Sequence, residues 1–442
     1  MPFQTIEDLG TRYALVSFDK SGTERSDDPD GKNGQMSARV VETAAQDKPT
    51  NIFLFSHGWK GDVPAAIDQY DRWIGAMVKL PADAQRVAQA VSGFKPMWIG
   101  VHWPSQPWGD EEFGSDVSFA FSGGVDVNAL LETYVERLGD TPAIRSALTR
   151  IFDSARKNAA AFQLPDDARA AYHELNSALG LGASGEGGGP GEDREPFDPD
   201  QAFSDSQSPA ADFGGLNLGG ILSPLRQLSF WTMKKRANTI GEAGMHNFLK
   251  QILVAAPAAK VHLMGHSFGC IVMSSMLGGP GGAAPLPRPV SSLTLAQGAL
   301  SLWSYSPDMP VRKGTPGYFH RNFSEGKVAG PLLTTRSKFD RAVGTFYPLA
   351  AGALNQVAFE LGAPPTFGGM GSFGIQGVTG AVDGKLQAST AEYGFQPKKI
   401  YNLDGNQYIV KGDGVSGAHS DIDGPEVAHA MWQAALVGSQ VS

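Results

Sequence analysis

The segment KVHLMGHSFGCIVMSSM, residues 260–276, decides the fold. It starts with a short apolar run typical of a buried strand, turns between Gly265 and Gly269, and continues as an apolar helix. Ser267 lies midway between these glycines, which is the spacing of a strained strand-to-helix turn that presents a serine hydroxyl above a sheet. Side chains at the two glycine positions would crowd so sharp a turn. The segment therefore predicts a nucleophilic serine mounted on an α/β sheet.

The composition is that of a globular protein. Of 442 residues, 41% are hydrophobic and 18% charged, and the 55 glycines and 29 prolines predict many loops. The net charge of −9 argues against nucleic-acid binding, and we expect the one basic run, residues 234–236, to be a solvated helix face. The single cysteine, Cys270, excludes an intrachain disulfide and a multi-cysteine metal site, and it is expected in the core. No cofactor is predicted.

Targeting signals are not evident. Charged residues are scattered through the first 25 positions, where a signal peptide would have an apolar run. No later window reaches the roughly 18 apolar residues of a membrane span. We therefore expect a soluble, cytoplasmic protein without a stable membrane anchor; the sequence does not indicate its oligomeric state.

Short apolar runs predict the strands of a mostly parallel sheet, with helices between them on both faces. The predicted strands are residues 13–18, 52–55, 97–103, 260–264, 290–295, 332–335 and 399–403, with 36–43 as a further candidate. The best helix signal follows residue 62, where Asp62 is a plausible cap and Pro64 suits the first turn. Residues 427–436 are predicted to close the chain as a helix.

Between the predicted strands at 97–103 and 260–264 the strand pattern stops. Residues 108–245 show amphipathic helical periodicity and include a glycine-rich, low-complexity loop at 180–220. The predicted organisation is a first half of the core at 1–107, a large helical insertion at 108–245, and a second half at 246–442. Whether the insertion is a lid over the site is left open.

A serine hydroxyl needs a base to act as a nucleophile, and that base needs a carboxylate to orient it. On a sheet of this kind the chain order is serine, acid, histidine. That order leaves His320, His419 and His429. His320 precedes the two best carboxylates and His429 lies inside the last predicted helix, whereas His419 lies in a turn-rich loop after the last strand. His419 is the favoured base.

Two aspartates stand at the carboxyl ends of predicted strands, Asp340 and Asp404. If the loop after the last strand carries His419, the acid should come from the preceding strand. This favours Asp340 and leaves Asp404 as the alternative. Asp421 and Asp423 near His419 could suggest a metal cluster, but no ligand-spaced partner accompanies them, so no metal site is predicted.

An oxyanion formed at Ser267 needs two hydrogen-bond donors placed in advance. One is the amide of Phe268, the residue after the nucleophile, and the other should come from the loop after the 52–55 strand. Gly58 in that loop allows close backbone approach, and Trp59 is the candidate for the second amide. His57 is expected to brace this loop rather than take part in chemistry.

Together, the 56–59 loop, the 265–269 turn, Asp340 and His419 resemble the α/β-hydrolase fold, specifically its esterase-like and lipase-like serine hydrolases. The resemblance implies a Ser267, Asp340, His419 triad with Phe268 and Trp59 as the oxyanion hole. It also implies cleavage of a small-molecule ester or acyl substrate through an acyl-enzyme. The dehalogenase and epoxide-hydrolase branches of this fold have an aspartate at the turn, so the serine found here disfavours them.

Two other functions stay open at this point. An acyltransferase or a thioesterase could use the same triad. A non-catalytic interaction protein could keep the hydrolase scaffold and use its helical segment for binding, although the intact set of serine, aspartate and histidine counts against this alternative.

Overall fold

The computed structural model describes residues 3–59, 62–105, 127–158, 161–181, 189–190, 193–206, 220–310, 312–346, 364–412 and 416–441. Of the low-complexity loop predicted at 180–220, the described residues are 180–181, 189–190, 193–206 and 220, and the expectation of a loop is wrong for residues 199–206, which form a helix.

Within the described residues, nine strands form one sheet. The strands are β1 (Phe3–Ile6), β2 (Thr11–Ser17), β3 (Asn51–Ser56), β4 (Pro96–His102), β5 (Lys260–His266), β6 (Ser292–Ala296), β7 (Leu332–Arg336), β8 (Val382–Lys385) and β9 (Ile400–Asp404). Their order across the sheet is β1-β2-β4-β3-β5-β6-β7-β9-β8. The β1–β2 pair is antiparallel and every other neighbouring pair is parallel. The predicted α/β class with a mostly parallel sheet is confirmed.

Helices of the unit that contains the sheet lie on both of its sides. The described residues between β4 and β5 are rich in helix and include no strand. The helices are α1 (Met36–Asp47), α2 (Val63–Val78), α3 (Pro81–Ala90), α4 (Val127–Leu138), α5 (Pro142–Lys157), α6 (Asp166–Leu179), α7 (Pro199–Ser206), α8 (Ser223–Ile240), α9 (His246–Ala255), α10 (Gly269–Gly278), α11 (His320–Ser324), α12 (Met370–Phe373) and α13 (Pro425–Gln440). None of these described helices combines the length and apolar character needed to cross a membrane.

Burial explains the element patterns. All six residues of the central strand β3 are buried. Because the strand is covered on both faces, its residues 52–55 form a continuous apolar run. Helix α2 begins where predicted, because the Asp62 side chain accepts a hydrogen bond of 2.8 Å from the Ala65 amide. The strand expected at 36–43 is wrong: this stretch belongs to helix α1, whose buried residues Met36, Val40 and Ala44 recur at four-residue spacing.

Aromatic side chains dominate the core on the sheet face covered by α2, α3 and α13. The Phe53 ring on β3 stacks on Trp98 of β4 with centroids 4.6 Å apart, and Trp432 of α13 meets Phe53 edge-on at 5.2 Å. The Trp432 indole N–H donates to the Met77 carbonyl at 3.0 Å. This contact ties the last helix to α2 and so holds the chain's C-terminal segment against the centre of the sheet.

The chain divides into two compact units. One comprises residues 1–105, 236–344 and 368–442 and contains the sheet; the other comprises 106–235 and 345–367. In the second unit α5 packs on α6, and the buried Lys234 ammonium lies 2.8 Å from the Asp193 carboxylate. The expectation of a solvated basic face at 234–236 is therefore wrong for Lys234. Its ammonium pairs with the Asp193 carboxylate and lies 4.5 Å from the centroid of the Trp231 ring.

Candidate active site

Ser267 occupies the turn between β5 and α10 and has a φ of +55°. Non-glycine residues rarely adopt this left-handed backbone conformation, and those that are held in it cluster at functional sites. The backbone fixes the turn from both sides: the Ser267 amide donates to Ala296 at the end of β6, and its carbonyl accepts from the amides of Cys270 and Ala299. The strained serine is thus a property of the folded sheet and not of a mobile loop.

The glycines that flank this turn are sterically required. A Cβ at Gly265 would lie 2.4 Å from the Gly269 carbonyl oxygen, and a Cβ at Gly269 would lie 2.2 Å from the Ser56 oxygen. Both distances are far below van der Waals contact. The reason given from the sequence for the glycine spacing is confirmed. Cys270, the next residue, is buried as expected, and burial raises the pKa of its thiol.

The 57–59 loop after β3 lies directly against the Ser267 turn. A Cβ on Gly58 would stand 2.5 Å from the Ser267 Cβ, and the Trp59 and Phe268 rings are 5.8 Å apart between centroids. The two residues predicted to supply oxyanion donors are therefore neighbours. Their assigned role stays a prediction, since it concerns an intermediate that forms only during reaction.

His57 braces this loop, as expected. Its Nε2 accepts the Trp103 amide at 3.3 Å, so the ring proton is on Nδ1, which donates to the Gly58 carbonyl at 2.8 Å. The His57 amide in turn donates to the Tyr70 hydroxyl. Burial lowers the pKa of His57 to about 3, so the ring is neutral and serves as a fixed part of the loop.

His419 and Asp340 are in contact. The His419 Nδ1 lies 2.8 Å from the Asp340 Oδ2, and both side chains are buried, with residue exposures of 7% and 1%. The loops that carry them are joined by backbone hydrogen bonds, from Ala418 to Phe339 at 2.8 Å and from Arg341 to Ser416 at 3.1 Å. Since Nδ1 donates to the carboxylate, the neutral ring keeps Nε2 unprotonated, which is the form a general base needs.

The alternative acid is placed elsewhere. Asp404 ends β9, accepts the Asn406 amide at 2.9 Å and faces Arg336 at 3.9 Å. Strand β9 pairs with β7, so the loops after these two strands leave the sheet side by side. This adjacency explains why the β7 loop carries the acid that meets the histidine of the β9 loop.

The other histidines that follow Ser267 have structural partners. His429 is buried in α13 between the Asp83 carboxylate, 2.7 Å from Nδ1, and the Ala391 carbonyl. His320 pairs with the Tyr305 carbonyl at 3.0 Å. The aspartates beside His419 are engaged as well. Asp421 accepts the amides of Val410 and Lys411, and Asp423 pairs with Arg72.

Ser267 and His419 are linked through His266. The His266 Nε2 lies 2.9 Å from the His419 carbonyl oxygen, and the two rings are 4.8 Å apart between centroids. Within the part of the chain that the structure describes, no hydrogen bond joins the Ser267 hydroxyl to the His419 ring. Such contacts are often long in unliganded enzymes and tighten with substrate.

Sequence reasoning missed two residues of this site. His266 holds the backbone of His419, and burial holds its pKa far below the ordinary histidine value, so it stays neutral. Gln297, directly after β6, donates to the Asp340 carboxylate at 2.8 Å. The signal that could have found Gln297 is its position at the carboxyl end of a strand adjacent to β5.

Comparison of the chain with protein-family models, with curated proteins and with solved structures found no match.

Proposed function

We propose that the protein is a serine hydrolase of the α/β-hydrolase fold that cleaves carboxylic esters through an acyl-enzyme intermediate. The observation that carries the proposal is the 2.8 Å contact between His419 and Asp340, on loops that adjoin the strained turn of Ser267. A buried carboxylate that fixes the imidazole tautomer is the arrangement by which a histidine activates a serine.

In the first step, the Ser267 Oγ attacks the ester carbonyl while His419 Nε2 takes the hydroxyl proton. The amides of Phe268 and Trp59 stabilise the oxyanion. The C–O bond to the alcohol then breaks, and His419 returns the proton to the leaving alkoxide. In the second step, water gives a proton to His419 and attacks the acyl carbonyl. The bond between the acyl carbon and Ser267 Oγ then breaks, the carboxylic acid leaves, and His419 returns the proton to Oγ, which restores the Ser267 hydroxyl. Asp340 keeps its hydrogen bond to His419 Nδ1 and stabilises the imidazolium that forms.

Hydrolysis of 4-nitrophenyl butyrate by the full chain tests the proposal. Wild-type protein should release an initial burst of nitrophenolate followed by steady turnover, and Ser267→Ala should lose both. The matched control is Ser324→Ala, which removes an exposed hydroxyl at the end of α11 and should leave turnover unchanged. Turnover that persists in well-folded Ser267→Ala would refute the mechanism.

The same experiment separates the two other functions. Added short-chain alcohol would give a new ester in place of the acid if the protein is an acyltransferase, and faster turnover of a thioester than of its oxygen analogue would indicate a thioesterase. A folded wild type that turns over neither substrate would favour the interaction protein.

A further inference from the structure

Gln297 is a buried residue in an unfavourable backbone conformation. It follows β6, the strand next to β5, its exposed fraction is 0%, and its φ is +45°. A non-glycine residue in this region is strained and persists only where surrounding contacts fix it. Those contacts run to the acid of the candidate site.

The amide of Gln297 has one orientation. Its Nε2 donates to Asp340 Oδ2 at 2.8 Å and to the Gly371 carbonyl at 3.2 Å, and both of these groups are acceptors only. Its Oε1 accepts the Thr335 hydroxyl at 2.9 Å, and that hydroxyl oxygen accepts the Gln297 backbone amide at 3.0 Å. Every polar atom of the side chain is paired, so the nitrogen is fixed toward the carboxylate.

Asp340 therefore receives three hydrogen bonds. Oδ2 accepts from Gln297 and from His419, each at 2.8 Å, and Oδ1 accepts the Val343 amide at 2.9 Å. Donors aimed at a buried carboxylate stabilise its charged form and fix its plane. The Gln297 bond holds Oδ2 and the Val343 bond holds Oδ1, so both oxygens of the carboxylate that meets His419 are fixed in place.

We infer that Gln297 is a positioning residue for the reaction proposed above: it keeps the Asp340 carboxylate oriented, and through Asp340 it fixes the tautomer and angle of His419. The inference rests on the proposed function. The titratable side chains that face this network are Asp340 and His419, with His266 against the His419 ring.

Gln297→Glu separates positioning from packing, because it keeps the size of the side chain. While the introduced carboxyl group is protonated it donates to Asp340 as the amide does, whereas its ionised form repels Asp340. We expect turnover of 4-nitrophenyl butyrate by this variant to be closest to wild type at low pH and to fall as the pH rises, giving a descending limb that wild type lacks. Gln297→Leu should lower kcat by about tenfold with KM little changed and without a new limb, since it removes one hydrogen bond to a charged group.

A second readout does not depend on activity. In protein labelled with ¹⁵N-histidine, the Nδ1 proton of His419 should give a downfield resonance that is lost in His419→Gln and moves in Asp340→Asn. The inference predicts that it also moves in Gln297→Leu. If wild type turns over ester but neither variant changes the pH profile or the resonance, Gln297 is not a positioning residue and the hydrolase proposal stands. If wild type is inert toward ester yet the resonance depends on Gln297, the hydrolase proposal fails and the positioning of the pair stands.

Discussion

The Nδ1 of His419 lies 2.8 Å from the Oδ2 of Asp340. Both residues come from loops at the carboxyl ends of paired strands, β9 and β7, and the loops are tied by backbone hydrogen bonds. The contact therefore follows from the pairing of these strands and loops.

Asp340→Asn should cost far more activity than Asp404→Asn. An asparagine at 340 can place its amide toward His419 and so favour the wrong tautomer, which in a serine triad lowers kcat by about 10⁴. Asp404 makes no hydrogen bond to His419 among the described residues, so Asp404→Asn should stay within about threefold of wild type. Steady-state kinetics on 4-nitrophenyl butyrate measure both; equal losses would mean that the acid is misassigned.

Gly58→Ala should disturb the site itself. The added Cβ would stand 2.5 Å from the Ser267 Cβ and 2.9 Å from the His266 carbonyl oxygen, so the turn or the loop must move. Displacements of this size can lower turnover by about 100-fold. The control is Gly75→Ala in α2, whose new Cβ would meet its nearest neighbour at 3.5 Å and should be neutral or stabilising by up to about 1 kcal/mol. Wild-type turnover in Gly58→Ala would show that this loop does not contact the nucleophile.

Acid should destabilise the protein through its buried neutral histidines. Burial lowers the pKa of His57 and of His262 from 6.5 to about 3. The unfolded chain binds these protons below 6.5 while the folded protein does not, so stability is complete above 6.5 and falls toward 3. Each such histidine contributes a slope of up to about 1.4 kcal/mol per pH unit.

Urea unfolding at a series of pH values measures this slope. His262→Gln should make it shallower, although losing the bonds to Asn51 and Ser292 should lower stability at every pH. The exposed His173, replaced by glutamine, is the control and should leave the slope unchanged. An unaltered slope in His262→Gln would contradict the assignment of His262 as neutral in the folded state.

Most strands of the sheet could be predicted from the local sequence, because the central strands are buried on both faces and therefore appear as apolar runs. The run of four apolar residues at 52–55 and the glycine-flanked Ser267 turn carry their own signals. Strand β8 (Val382–Lys385) carries no such signal. It is a mostly exposed edge strand with an aspartate and a glycine in its centre. Its pairing to β9 is a tertiary contact with no counterpart in the local sequence.

The site shows the same division. His419 and Asp340 could be proposed from chain order and strand ends, because those rules encode the geometry of a parallel sheet. Chain order also favoured Asp340 over Asp404, and the pairing of β7 with β9 in the folded sheet supplies the physical reason for that preference. The position of Gln297 at the end of a predicted strand could have marked it as a candidate, but its role could not be inferred, since that role arises from hydrogen bonds to Thr335, Asp340 and Gly371, up to 74 residues away in sequence.

The central claim is that Ser267 is an activated nucleophile. Incubation of the full-length protein with a fluorophosphonate, followed by intact-mass analysis and peptide mapping, tests it most directly. We predict one adduct on wild-type protein, on the peptide that contains Ser267, and none on Ser267→Ala. A folded wild type that stays unlabelled, or a Ser267→Ala variant labelled to the same extent, would contradict the claim.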